Sequence, residues 1–83
     1  MSRYALLAGN GRFPILAMET ARAMGHEIVA IGIKEEASPE IETLAARCYW
    51  LSIGQLSRLI EILKEEQLTE LIMAGQVDRK SVV

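Results

Sequence analysis

The sequence predicts an α/β domain of the Rossmann-like kind, a four-stranded parallel sheet in the order 3-2-1-4 with helices on both faces. Three observations carry this reading. Short apolar runs alternate with helix-like stretches along the whole chain, and the connections are too short for anything but right-handed crossovers between parallel strands. The runs are apolar at successive positions, as in strands covered on both faces, and the 51% apolar content suits such a sheet. A glycine turn, Gly9-Asn10-Gly11-Arg12-Phe13-Pro14, joins the first run directly to the first helix.

Tyr4 to Ala8 reads as the first buried strand. Pro14 marks the first helical position, where a missing N–H costs nothing, and the helix runs to Met24, stopped by Gly25. Glu27 to Ile33 is β-branched and apolar, a central strand. Ser38-Pro39-Glu40 then starts a short helix to Ala46, with a hydroxyl cap, an early proline and an acid in the first turn. Cys48 to Leu51 is a brief third strand. Ser52 and Gln55 have capping-box spacing ahead of a helix over 55–67, whose apolar face is predicted at Leu56, Leu59, Ile60 and Leu63. Glu70 to Ala74 is the fourth strand, and Gly75 to Arg79 the turn behind it.

Composition excludes several functions. A net charge of −2 argues against nucleic acid, which needs a basic stripe. The single cysteine, Cys48, permits no internal disulfide or zinc cluster and reads as a thiol without a catalytic role. No apolar run approaches the roughly 18 residues of a membrane span, and the start does not continue as a signal peptide. A cytoplasmic location is expected, with peripheral contact at a membrane left open. No nucleophile–base pair and no metal-ligand spacing stands out, so this stretch is expected to bind without catalysing.

Binding is expected at one place. With strand order 3-2-1-4 the winding reverses between the first and fourth strands, and ligands of open α/β sheets sit at such a switch point. The turns at Gly9–Pro14 and Gly75–Arg79 would flank that crevice. A helix start supplies amides and a dipole for an anion. Arg12 suits a diphosphate, and Asn10 could donate to one. A plain tight turn explains the same glycines without a ligand. Asp78 and Arg79 are either an opposite wall of the site or a pair at a loop tip. The dinucleotide fingerprint has its first two glycines but Pro14 in the third place. Glu35 lies near the spacing of a ribose-binding acid, or is a solvated loop charge beside Lys34 and Glu36. A dinucleotide-binding module is therefore one alternative, and a non-enzymatic interaction domain with open sheet edges another. The apolar residues that directly follow the last strand suggest an excerpt of a longer protein.

Three ordered segments, L-L-A-G-N-G-R-F-P, Y-W-L-S-I-G-Q-L-S-R-L-I and L-I-M-A-G-Q-V-D-R, together resemble the N-terminal domain of the UDP-2,3-diacylglucosamine pyrophosphatases of the LpxI type. The likeness spans the whole chain and only the front of the family's proteins. It implies a bacterial cytoplasmic hydrolase of lipid A synthesis that cleaves a UDP-sugar-lipid diphosphate to lipid X and UMP. The implied cofactor is a divalent metal, Mg by expectation, held by a C-terminal domain that this chain lacks. The implied partners are UDP-2,3-diacylglucosamine or lipid X and that second domain, with a homo-oligomer of the chain left open. The substrate-binding residues it carries over are Gly9, Asn10, Gly11, Arg12, Phe13, Pro14, Gly75, Gln76 and Val77. The family's catalytic aspartate has no counterpart here, and Asp78 is not a substitute for it.

Overall fold

Apolar runs pair side by side because each hides its backbone polar groups in its neighbours' ladders. In the computed structural model, which describes residues 3–75, β1 (Arg3–Ala8) takes the centre. It pairs in parallel with β2 (Glu27–Ile33) on one side and β4 (Leu71–Ala74) on the other, while β3 (Arg47–Leu51) pairs with β2. The order is β3-β2-β1-β4, as expected. Gln76 and Val77, with Asp78, Arg79 and residues 80–83, lie outside the described residues.

Alternation along the strands divides the interior into two layers. On one face α1 (Phe13–Ala23) and α2 (Ile41–Leu44) cover Leu6, Ala8, Ile28, Ala30 and Ala74. Here the Trp50 ring and the Ile41 side chain lie over Gly32, where a Cβ would come within 2.6 Å of the ring. On the other face α3 (Arg58–Glu65) covers Ala5, Leu7, Ile31, Ile33 and Leu51 through Ile62, with Leu59 and Leu63 beside it.

Helix boundaries moved where local hydrogen bonding won over periodicity. The second helix is only four residues long, because Ser38 and Pro39 form a tight turn closed by Ile41 N–H to Ser38 O and Glu42 N–H to Pro39 O. The Ser38 hydroxyl accepts from Glu40 N–H at 3.3 Å, closing the turn ahead of the helix. Ser52 and Gln55 do form a capping box, with Ser52 N–H donating to Gln55 Oε1 at 3.1 Å. It closes a 3-10 turn, Ile53–Gln55, and α3 starts only at Arg58. The predicted apolar face is corrected by the same break in phase. Ile62 is the buried residue, flanked by Leu59 and Leu63, whereas Ile60 is 61% exposed and Leu56 is exposed as well.

Both long helices end in the same way. After α1, His26 N–H reaches Ala21 O and Gly25 N–H reaches Arg22 O, the Schellman pattern with glycine in the left-handed position. After α3 the same two bonds run from Leu68 to Leu63 and from Gln67 to Lys64. There the left-handed residue is Gln67, at φ 57°. A side chain in that conformation costs about 1 kcal/mol.

The amino ends of the strands are tied by charge. Glu66, just past α3, is 8% exposed. Its carboxylate accepts from Tyr49 Oη and from Arg3 Nη2 (2.8 Å), and pairs with Arg47 Nε at 3.2 Å. Arg3 Nη1 also donates to the Glu66 carbonyl, and Arg3 pairs with Glu27 at 3.4 Å. One acid thus joins the starts of β1 and β3, and Arg3 extends the tie to β2. The Tyr49 hydroxyl and then Arg3 hold the Glu66 carboxyl below the ordinary glutamate range, and the same hydroxyl contact holds Tyr49 above its own.

Two outcomes follow from this architecture. Gln67→Gly should raise stability by about 1 kcal/mol in urea unfolding, by relieving the left-handed strain. For Glu66, a folded pKa below the unfolded one means stabilisation that is present above about pH 4.3 and lost as pH falls through the folded value. The melting temperature should therefore drop more steeply with acid below about pH 4.3 in the wild type than in Glu66→Gln, and parallel curves would show that the cluster contributes nothing.

Candidate functional site

At the carboxyl ends of the strands the chain leaves β1 at Ala8 and enters α1 four residues after Gly9. Gly9 is buried, and its N–H donates to Ala74 O at 2.9 Å, so that amide belongs to the sheet. Gly11 turns the chain with φ +89°, and Arg12 caps the helix through its backbone alone. Phe13 is the first helical residue and is 61% exposed. Pro14 occupies the second helical position, one later than predicted, and is buried. The helix start therefore offers its amides and dipole without a side-chain cap from Arg12, and with one donor fewer because of the proline.

Gly75 stands against this turn. A Cβ at Gly75, whose φ is +90°, would lie 2.5 Å from Asn10 O, 2.9 Å from Pro14 Cγ and 3.0 Å from Gly9 C. The two corners thus meet, as the strand order required. Pro14 fills the space that the third glycine of a dinucleotide fingerprint would leave open, and the bare α-carbon has moved across to the end of β4. Of the residues expected on the opposing wall, Gly75 is in place, and Gln76 and Val77 lie beyond the described residues.

The neighbouring loop adds a residue that sequence reasoning set aside. After β2 the chain folds back on itself, with Glu36 N–H and Ala37 N–H both donating to Ile33 O. Consecutive side chains therefore diverge. Glu35 accepts from Ile53 N–H at 3.2 Å, so it braces the 3-10 turn. Glu36, half-buried, accepts from Asn10 Nδ2 at 2.8 Å and so reaches the glycine turn. The signal was present as two adjacent acids after a central strand. Which of them faces the crevice depends on the loop's curl, which no spacing rule encodes.

Alongside α1 runs an apolar groove of about 510 Å³, lined by Phe13, Leu16, Thr20, Met24, His26 and Ile72 among others. It starts at the first helical residue of the glycine turn and follows a helix about 16 Å long. His26 Nδ1 is buried there without a hydrogen-bond partner among the described residues, and its ring meets the Tyr4 ring edge-on at 5.4 Å. Cys48, by contrast, lies outside the groove, and burial first, then the Glu42 charge, push its thiol up to about 11. It stays protonated and unreactive near neutral pH.

The model of the LpxI N-terminal domain matches residues 3–83. The chain belongs to this family. Membership connects it to the enzymes of lipid A synthesis. No curated protein matches the chain. Among the described residues of this LpxI N-terminal domain, no three His, Cys, Asp or Glu side chains come together as a metal site, and no helix is long and apolar enough to cross a membrane. The residues carried over from the resemblance, Gly9 to Pro14, form one continuous corner with Gly75 against it.

That corner depends on a missing side chain. Gly75→Ala should cost on the order of 3 kcal/mol, from the left-handed backbone and the clash with Asn10 O together. Urea unfolding would measure it. A loss under about 0.5 kcal/mol, the level of a neutral surface change, would mean that the two turns do not press on one another.

Proposed function

We propose that this domain binds the UDP-sugar-lipid substrate of a pyrophosphatase that cleaves UDP-2,3-diacylglucosamine to lipid X and UMP. The diphosphate lies over the Gly9–Pro14 turn, opposite Gly75. The observation that carries this reading is the junction of two unlike surfaces at Phe13. A polar turn with a helix dipole lies on one side, and an apolar groove of about 510 Å³ on the other. An amphipathic ligand with an anionic head and acyl chains matches that junction better than a fully polar dinucleotide does. Arg12 is exposed at the helix cap, and in this reading its forked donors approach the diphosphate.

In this reading the chain's residues bind and orient. The turn amides and the α1 dipole hold the diphosphate, and the groove takes up apolar chains. Exclusion of water from the groove adds affinity in proportion to the apolar area covered. The described residues offer no donor set for a divalent metal. The metal, which would polarise the diphosphate, belongs to a second domain in this reading, as does the group that attacks it. The working protein is cytoplasmic, reaching its lipid at the inner membrane surface.

Titration with a UDP-sugar or a lipid X analogue, followed by amide NMR, tests the proposal. The expected result is shifts concentrated at Gly9–Phe13 and Gly75–Val77, with methyl shifts at Leu16 and Ile72 only for the acylated ligand. Saturating ligand that leaves both turns unmoved would overturn it.

A further inference from the structure

The loop after β2 carries an assignment of its own, which rests on the substrate reading above. We infer that Glu36, positioned by Asn10, accepts the ribose hydroxyls of the uridine diphosphate and thereby selects ribonucleotide over deoxyribonucleotide. Three observations lead there. Glu36 Oε2 lies 2.8 Å from Asn10 Nδ2, so the carboxylate sits on the turn that would carry the diphosphate. An ionised carboxylate only accepts hydrogen bonds, and the ligand group against it must donate. A phosphoryl oxygen in that place would meet like charge, whereas a pair of vicinal hydroxyls supplies two donors. Finally, topology sets the direction. With the diphosphate at the β1–α1 turn of a doubly wound sheet, the adjoining ribose falls at the end of the neighbouring strand β2. Glu36 stands there, three residues past Ile33.

The neighbouring acid does not compete for this role. Glu35, closer to the spacing rule, is turned away toward Ile53 N–H. Glu36 is half-buried and already oriented by an amide, so little side-chain freedom remains to be lost when hydroxyls arrive. Asn10 is thus a positioning residue. Its side-chain amide orients the carboxylate, and its backbone carbonyl lies close against Gly75.

Calorimetric titration of UDP and 2′-deoxy-UDP into the wild type, Glu36→Gln and Glu35→Gln tests the assignment. Wild type should bind UDP about tenfold more tightly than the deoxy form, the value of a hydrogen bond to a charged group. Glu36→Gln should bind UDP and 2′-deoxy-UDP about equally, with UDP losing more than 2′-deoxy-UDP, which has only its 3′ hydroxyl to donate to Glu36, and Glu35→Gln should behave as wild type. Equal affinity of wild type for the two nucleotides overturns the role of Glu36 and leaves the diphosphate site standing. That comparison decides even if Glu36→Gln fails to fold. Discrimination that survives in Glu36→Gln and is lost in Glu35→Gln returns the role to Glu35. Failure of wild type to bind UDP at millimolar concentration removes the substrate reading and this assignment together.

Discussion

The contact on which the candidate site depends is made by an atom that is not there. Because Gly75 has no Cβ, the end of β4 can close on the Asn10 carbonyl and the Pro14 ring. The Gly9 N–H bond to Ala74 O holds the two strands in register just below. Everything at this rim follows from that closure. The winding reverses here, the helix dipole of α1 points outward here, and the groove along α1 begins here. In a dinucleotide fold the close approach is made by a glycine at the start of the helix. In this chain the helix start is bulky and rigid, and the strand opposite gives way. The same packing problem is solved from the other side, and a proline at the third place is no longer an anomaly.

Much of this was legible in the residues, for reasons that differ between elements. The strands were legible because burial on both faces demands uninterrupted apolar runs, and β2 came out residue for residue at Glu27–Ile33. Short crossovers of fixed hand made the strands parallel, and the order was expected from the usual winding of such a sheet. The helices were less so. The Ser52–Gln55 box was a true signal for a cap, but what it caps is one 3-10 turn, and the break shifts the helical phase enough to trade Ile60 for Ile62. Gln67 could not be found at all, because a left-handed glutamine carries no mark in sequence. At the site, the meeting of the two turns was a consequence of topology. The choice between Glu35 and Glu36 was not, since it turns on two hydrogen bonds to the Ile33 carbonyl.

The exposed apolar surface is concentrated on β4 and the helix flank nearest to it. Met73 is 73% exposed, and Leu71 and Ile72 are open on opposite faces of the same strand. Phe13, Leu16 and Met24 continue the apolar character along α1. A short strand with both faces wet is a weak place in a sheet. What secures it is its pairing with β1 and the corner at Gly75, so the rim that would hold a ligand also anchors the least covered strand.

The opposite rim has another character. Glu66 gathers Arg3, Tyr49 and Arg47 into one knot at the feet of β1 and β3. Part of the sheet's cohesion is thereby lodged at the rim opposite the candidate site. Substitutions at the exposed Arg12 leave that knot intact, so the chemistry offered at the glycine rim can drift over evolutionary time without loosening the feet of β1 and β3.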